Sequence, residues 1–575
     1  MIRPTFLAFE TARRALNVSQ AGLDVVGNNI ANVNTPGYTR QRMIQHAVSN
    51  SFQSQFQVFG ARGHFTGQGV DLGGITQIRD PFLDTRFRNE ASTNGELAVR
   101  QGGLMDLERV IDEISKGGLH ASMGELINQI SRFAQNADSP EIAVVVRNAA
   151  MHLTQVFNRT ANDLQGILNA QMFDLEVAIT NDVNSAIERI AYLNERIRQD
   201  HMFGSPANEL QDERNLLIDK LSHFLPIQVV RTPERVGEHR TIERVSINLV
   251  GSGGGSINLV DNDRFNILGL TRLEDGRGNA AISLIEGASG FPLMGDITAN
   301  ITSGGIRGFL DIVNGMGDFA GTGENTFRGI PYYQMKLDNI AQTFARQMNL
   351  MNSISQAEAD RTETLSAQNR PLFTANLPQS VRDDLAAADP DNFDSFDLTS
   401  FVTAGNITLS ANWMAEASWF TTTKQDPSLP VPVLDSNGNP TFDYPGGNQI
   451  FHTPSNTDNI LAFVNLLSRD ATHFMAINGN GHEVALFRGS FQESFSSMQS
   501  TLGLDFSMNQ ALLGASDLVL GGFSDQRDSI SAVSADEEAI NMMIFQNHYN
   551  AAARFMTTID EALDMIISRM GLVGR

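Results

Sequence analysis

The sequence predicts an α+β multidomain protein with a terminal α-helical coiled-coil domain, a middle domain of long helices and inserted β-rich domains. Its 575 residues are enough for about three to five domains. Apolar residues recur at alternating spacings of three and four near both ends and between Leu168 and Ile197, which indicates amphipathic helices. From Leu225 onward the apolar period changes to two, which indicates strands.

The first predicted element is a helix whose apolar stripe we call the N-terminal seam. Its positions have heptad spacing, and one of them, Ser19, is polar. The positions are Phe9, Ala12, Leu16, Ser19, Leu23, Val26, Ile30 and Val33. The helix stops at what we call the turn motif, formed by Asn32, Asn34, Thr35, Pro36, Gly37 and Tyr38. Pro-Gly predicts a type II turn in which Gly37 has positive φ. The alternative is a tolerant loop that merely ends the helix.

The middle of the chain alternates between the two periods. Residues 43–80 are predicted to form short strands and turns, and 81–225 to be mainly helical. Two identical Ser-Ile-Asn-Leu-Val runs flank the glycines of 251–255 and indicate a hairpin, with further strands to about residue 312. Helix returns at 331–354, and the polar composition of 355–455 indicates a separate insertion.

These elements predict four parts of the chain. The terminal helical coiled-coil (inner) domain consists of 1–50 and 530–575, and the mainly helical middle domain consists of 51–225, 313–355 and 456–529. A β-rich segment covers 226–312, and an inserted outer β-rich domain covers 356–455.

The last predicted element is a helix with a second stripe, the C-terminal seam. Its positions are Met542, Phe545, Tyr549, Ala552, Met556, Ile559, Leu563, Ile566 and Met570. A single helix cannot bury such a stripe, so each end of the chain needs a partner helix. Either the two helices pack on a core, or they pack on each other. Residues 1–50 have net charge +3 and residues 530–575 have net charge −3, which agrees with mutual pairing.

Composition excludes several classes of function. The net charge is −24, which argues against binding to nucleic acid or to an anionic membrane surface. No apolar run approaches the ~20 residues that span a bilayer, and charged residues interrupt the N-terminus where a signal peptide would be apolar. The absence of cysteine excludes disulfides, thiolate metal sites and thiol nucleophiles.

No motif in the sequence predicts catalysis. GxGxxG, Walker, HExxH and GxSxG patterns are absent. Asp536, Glu537 and Glu538 suggest paired carboxylates, but acids that precede a helix complement its dipole. The sequence therefore predicts a non-enzymatic protein with no catalytic residue, cofactor or metal site.

Three segments resemble bacterial flagellar rod, hook and hook-associated proteins, the axial family. The run Asn28-Asn-Ile-Ala-Asn-Val-Asn-Thr-Pro-Gly-Tyr-Thr-Arg-Gln41 resembles the family signature, and 67–78 resembles the stretch that follows it. Residues 534–554 resemble the family's terminal helix, with an acidic start. The motifs at 139–141 and 205–214 are similar to helical segments of hook–filament junction members.

The resemblance implies a secreted structural subunit of the extracellular flagellum, placed in a ring or helical layer between hook and filament. The implied partners are other copies of the chain, hook protein on one side, a second junction protein on the other, and a flagellar export chaperone that covers the C-terminal seam before type III export. The seams and the turn motif would then be assembly elements. Alternatives are another axial subunit, of the hook or distal rod, or a secreted hydrolase carried on an axial scaffold.

Overall fold

The structure is a computed structural model of the 575-residue chain. It describes residues 5–48, 69–116, 118–236, 240–251, 254–273, 280–352, 371–388, 398–422, 433–434, 440–441, 457–469 and 472–570. The helices are α1 (Thr5–Ala31), α2 (Pro81–Lys116), α3 (Leu119–Gln135), α4 (Pro140–Val177), α5 (Ser185–Phe203), α6 (Asn208–Phe224), α7 (Gly305–Asn314), α8 (Ile330–Asn352), α9 (Gln379–Ala388), α10 (Ala411–Ala415), α11 (Asp458–Ser468), α12 (Phe491–Ser531) and α13 (Ala535–Met570). The strands are β1 (Gln41–Ala47), β2 (Val70–Gln77), β3 (Ile227–Val236), β4 (Arg240–Val250), β5 (Ser256–Asp261), β6 (Arg264–Arg272), β7 (Ala280–Glu286), β8 (Pro292–Asp296), β9 (Phe373–Ala375), β10 (Ile407–Leu409), β11 (Val433–Leu434), β12 (Pro440–Thr441), β13 (Thr472–Ile477) and β14 (Glu483–Gly489).

The two ends of the chain pack on each other. Helix α1 lies along α13, and the antiparallel hairpin β1–β2 packs against α1. This confirms the second of the two interpretations of the seams, that the terminal helices pair. Pairing removes apolar surface of both helices from water, which neither helix achieves alone.

The middle of the chain is a helical bundle with one continuous core. Helix α4 has a Ser139 N-cap with Pro140 in its first turn, as the Ser-Pro-Glu sequence predicts. It runs through a π-helical segment, Ala178–Asn184, directly into α5. The predicted apolar stripe from Leu168 to Ile197 therefore follows two helices joined without a loop.

A six-stranded antiparallel meander, β3 to β8 in chain order, packs on α5. Its β4–β5 hairpin pairs Ile247 with Val260, which confirms the hairpin predicted from the repeated run. The Asn184 side chain accepts the Leu268 N–H at 2.8 Å and donates to its carbonyl at 2.9 Å, which fixes the sheet on the bundle.

The strands end earlier than the sequence predicts. The expected β segment reaches about residue 312, but β8 ends at Asp296 and residues 305–314 form α7. Ile306, Leu310 and Val313 recur at helical spacing and are buried against the bundle. A short apolar run does not distinguish a buried helix from a strand, and here the packing decided.

The predicted separate outer domain also differs in the part that the structure describes. Residues 371–388 and 398–422 contain two three-residue strands and short helices, and their buried apolar side chains belong to the bundle core. The Phe373 ring lies 4.9 Å from the Phe344 ring of α8, edge to face, and 5.6 Å from Trp413. Residues 423–456, apart from β11 and β12, lie outside the described residues.

Candidate assembly site

The turn motif forms the turn that the Pro-Gly sequence predicts. Helix α1 ends at Ala31, and the Tyr38 N–H donates to the Thr35 carbonyl oxygen at 3.2 Å across Pro36 and Gly37. Gly37 has φ of +81°, the left-handed value expected at the third position of a type II turn. The Thr35 hydroxyl donates to the Asn32 side chain at 3.1 Å, which ties the turn to the helix end. Asn34 is exposed.

A buried amide, Asn29, lies at the centre of the site. Its Oδ1 accepts the Tyr38 hydroxyl at 2.9 Å and the Gln41 N–H at 3.0 Å. Its Nδ2 donates to the Gln41 carbonyl at 3.0 Å and to Glu538 Oε2 at 3.2 Å. One side chain thus joins α1, the turn, β1 and α13. The sequence prediction did not include Asn29. This polar residue precedes the seam residue Ile30 and lies within the family signature, and that position was a signal of a structural role.

Arg40 joins the hairpin to both C-terminal helices. Its Nε donates to Glu538 at 2.8 Å and its NH1 to Glu537 at 2.6 Å. Its backbone N–H donates to the Ser531 carbonyl at the end of α12. The acids at the start of α13 therefore have a specific partner besides the helix dipole, which the sequence prediction missed.

The turn is anchored on α6 of the middle domain. The Thr39 N–H donates to Asp212 Oδ2 at 3.1 Å, and Gln77 Nε2 donates to the Asn208 carbonyl at 2.9 Å. A Cβ at Gly37 would lie 3.3 Å from Leu216. The helix α6 contains most of the segment 205–214 that resembles the family, and its contacts explain why this stretch buries so many polar side chains.

Burial changes the acid–base properties of this anchor. Burial raises the pKa of Asp212 to about 6, although the bond from Thr39 acts in the opposite direction. Burial, together with the nearby Asp212, Glu209 and Glu538 carboxylates, raises the pKa of Tyr38 to about 12. Tyr38 therefore stays a neutral hydrogen-bond donor to Asn29 at neutral pH.

The N-terminal seam lies beside the contact with α13 and not at its centre. Of the predicted apolar positions, Val26 and Ala12 are buried; Leu16, Leu23 and Ile30 are half-buried; and Phe9 and Val33 are 38% and 40% exposed. The buried face consists of Ala12, Val18, Ser19, Gly22, Val25, Val26 and Asn29. Small residues form it because Phe545 packs there: a Cβ at Gly22 would be 2.6 Å from its ring.

The C-terminal seam faces α1 over most of its length. Ala552 and Ile559 are buried; Met542, Phe545, Met556 and Leu563 are half-buried; and Tyr549 is exposed. The side chains of Ile566 and Met570 lie outside the described residues.

Helix α13 carries a second apolar face, which we call the outer stripe. It consists of Ile540, Ile544, Ala551, Phe555 and Met565, all exposed. At 3.6 residues per turn, the outer stripe is rotated about the helix axis by about a third of the circumference relative to the C-terminal seam. Ala551 and Phe555 also line a cavity of about 370 Å³ between α1, the hairpin and α13. The outer stripe and this cavity are surfaces that the pairing of α1 with α13 does not fill.

Within the described residues, no cluster of three or more His, Asp or Glu side chains has the arrangement of a metal site. The same residues contain no helix that is both long and apolar enough to span a membrane.

Comparison with known proteins shows a similarity to flagellar hook-associated proteins. The family model described as "Flagellar hook-associated protein FlgK helical domain" matches residues 104–360. Flagellar hook-associated protein 1 of Bacillus subtilis (strain 168) is 27% identical, and the alignment covers 99% of each chain. The chain is thus similar to flagellar hook-associated protein 1 over almost its whole length. The member from Escherichia coli (strain K12) is 23% identical over 97% of this chain and 98% of its own length.

Two further family models fall on the candidate site. The model "Flagella basal body rod protein" matches residues 9–39, and "Flagellar basal body rod FlgEFG protein C-terminal" matches residues 525–569. The first match covers most of α1 and the turn motif, and the second covers the end of α12 and most of α13. The shared part of rod and hook-associated proteins is thus the part that Asn29, Arg40 and Glu538 hold together.

A solved structure has a similar fold. The flagellar hook junction protein FlgK from Burkholderia pseudomallei has a TM-score of 0.54 to this chain, at 13% identity. The match covers 78% of this chain and all of that one.

Proposed function

We propose that this chain is a non-enzymatic structural subunit of the bacterial flagellum that forms the hook–filament junction and assembles with copies of itself. The observation that carries the proposal is the terminal helix pair, which buries one face of α13 and leaves the outer stripe exposed. The similarity to flagellar hook-associated protein 1 supports the place of the subunit in the flagellar axis.

In this proposal the two faces of α13 have different roles. The C-terminal seam is used within the chain, against α1, so it holds the pair together. The outer stripe remains for a neighbouring copy, and the cavity lined by Ala551 and Phe555 offers a place for an apolar side chain of that copy. Burying a large apolar side chain is worth roughly 1.5–3 kcal/mol, so a few such contacts suffice to drive assembly.

The remaining partners follow from a place between hook and filament. Hook protein lies on one side of the layer and a second junction protein on the other, outside the cell. An export chaperone covers the C-terminal helix before type III export. The exposed apolar residues of α13, such as Ile544 and Phe555, are the surface that such a chaperone would protect from water.

The test is complementation of a strain that lacks the gene. Wild-type protein should restore filaments, and without it electron microscopy should show hooks without filaments and filament subunits in the medium. Phe555→Asp should be exported yet fail to restore the junction. Gln546→Asp, an exposed position of the same helix outside both faces, is the matched control and should behave as wild type. Normal filaments in the deletion strain would refute the proposed function.

A further inference from the structure

Helix α12 carries an apolar face that the monomer leaves uncovered. Its members, which we call the α12 stripe, are Leu504, Met508, Ala511, Leu512, Ala515, Leu518 and Val519. Leu504 is 66% exposed and Leu518 is 80% exposed. At 1.5 Å per residue the stripe is about 22 Å long, and its members lie within about a third of the helix circumference.

The inward face of the same helical segment mixes polar and apolar side chains: Phe506 packs against the bundle core, and Leu513 is half-buried. Asn509 is buried and donates to the Leu97 carbonyl of α2 at 3.0 Å. Ser516 is buried and donates to Glu90 at 2.6 Å. In this half of α12 both apolar contacts and these hydrogen bonds hold the helix to the bundle, while the α12 stripe faces outward. Such a helix has two contact faces, and the monomer uses one of them.

We infer that the α12 stripe is a contact surface for a second copy of this chain, so that copies touch through the middle domain as well as through the terminal helices. The inference rests on the proposed function, which places many copies side by side.

The charge pattern favours a second copy as the occupant. Two copies with net charge −24 repel each other, so a contact between them needs a surface free of acids. Between residues 503 and 520 the charged residues are Asp505 and Asp517. Both are engaged within the chain, Asp505 with Arg328 at 3.2 Å and Asp517 with Asn94 at 2.6 Å. A basic partner would find no carboxylate on the stripe to bind.

Beyond the α12 stripe, helix α12 itself continues toward the proposed assembly surface. Helix α12 ends at Ser531, whose carbonyl accepts the Arg40 N–H, and the Arg40 side chain binds Glu537 and Glu538 at the start of α13. Arg40 thus fixes the end of one exposed apolar helix next to the start of the other. A copy seated on the outer stripe of α13 is therefore close to the helix that bears the α12 stripe.

The experiment uses the full-length chain in flagella of the complemented deletion strain. Leu512→Asp and Leu518→Asp place a carboxylate on the stripe, and Gln510→Asp places one on an exposed position of the same helix outside it. We expect both stripe variants to be exported in wild-type amounts but to be at least tenfold depleted from purified hook–filament junctions. Gln510→Asp should be incorporated normally. Incorporation of both stripe variants within twofold of wild type would overturn the inference.

A second measurement identifies the molecule that contacts the α12 stripe. It does not require the helix to tolerate an aspartate. A photo-crosslinking benzoylphenylalanine at position 512 or 518 should give an adduct of twice the mass of the chain in assembled flagella. An adduct of any other mass, or no adduct at either position, would overturn the inference. The incorporation and crosslinking results do not test the proposed function. The proposed function is wrong only if wild-type protein is absent from the junction or if filaments form without it.

Discussion

At the residue scale, Asn29 explains why the N-terminal signature needs an amide. Its side chain pairs with both backbone groups of Gln41 as a neighbouring strand would, and still has capacity for Tyr38 and Glu538. A carboxylate in its place would offer no donor to the Gln41 carbonyl, and a hydrophobic residue would leave buried groups unpaired. Four elements therefore depend on one fully bonded residue.

The requirement for glycine at position 37 comes from the backbone geometry of the turn. Its φ of +81° strains a residue with a Cβ, most of all a β-branched one, and the Cβ would press on Leu216 of α6. We expect Gly37→Val to cost roughly 1–3 kcal/mol, Gly37→Ala less, and Gly37→Asn least because Asn tolerates positive φ. Thermal unfolding of the purified chain and swimming of complemented cells measure the series. Equal stability and motility across Asn, Ala and Val would show that the turn makes no geometric demand.

Asp212 should make stability depend on pH. Its pKa is about 6 in the folded protein against 3.8 normally, so between these values the folded state binds more protons than the unfolded state. The contribution of Asp212 to stability is therefore full below pH 4 and is lost as pH rises through 6. Asp212→Asn keeps an acceptor for Thr39 but cannot ionise.

We expect Asp212→Asn to be more stable than wild type at pH 7 by roughly 1–3 kcal/mol, with the difference shrinking toward pH 4. Arg79, Glu209 and Tyr38 also face this carboxyl, and they are unchanged in the variant. Chemical unfolding at pH 4, 5, 6 and 7 measures the difference. Parallel stability curves for the two proteins would contradict the expectation.

At the element scale, the two faces of α13 should respond differently to a charge. Ile559 is buried against α1, whereas Phe555 is 44% exposed on the outer stripe. We expect Ile559→Asp to open the terminal helix pair, at a cost of several kcal/mol, because its carboxylate must either stay buried or break the contact. Phe555→Asp should leave the pair intact.

Hydrogen exchange of α1 and α13 amides separates the two outcomes. Fast exchange in Ile559→Asp with wild-type exchange in the bundle helices α3 and α4 is the expected result, and Phe555→Asp is the matched control. Protection of α1 in Ile559→Asp equal to wild type would show that the seam does not hold the pair. Leu563→Asp should have a smaller effect because Leu563 is half-buried.

At the scale of the whole molecule, a large core contrasts with a thin terminal pair. The bundle, the sheet and the described residues 371–388 and 398–422 share one apolar core, while α1 and α13 bury narrow faces against each other and the hairpin. Two paired helices are marginal in water, because their stability comes from the area that they bury. The ends should therefore open before the middle of the monomer does.

Limited trypsin digestion of the monomer tests this order. Arg13 in α1 and Arg159 in α4 have similarly exposed side chains, 53% and 69%, so exposure alone does not distinguish them. We expect cleavage at Arg13 and at Arg554 in α13 to precede cleavage at Arg159, with a stable middle fragment remaining. Equally early cleavage at Arg159 would mean that the terminal pair is as stable as the bundle.

The sequence by itself determined the local structure of this protein. Heptad spacing predicted both terminal helices, Pro36-Gly37 predicted the turn, and the repeated run before and after 251–255 predicted a hairpin, because each depends on residues near one another in the chain. The resemblance of 28–41 and 534–554 to axial proteins was visible in the sequence for the same reason, since these motifs are contiguous.

Only the tertiary structure decided which faces are buried and which are free. The seam of α1 lies to one side of its contact because Phe545 packs on Gly22. Residues 371–388 and 398–422 join the bundle, where the Phe373 ring contacts the Phe344 ring. Asn29, Arg40 and Glu538 become one site through hydrogen bonds that span about 500 positions. Periodicity states that a helix has an apolar face, but the partner that covers it comes from elsewhere in the chain, or from another copy.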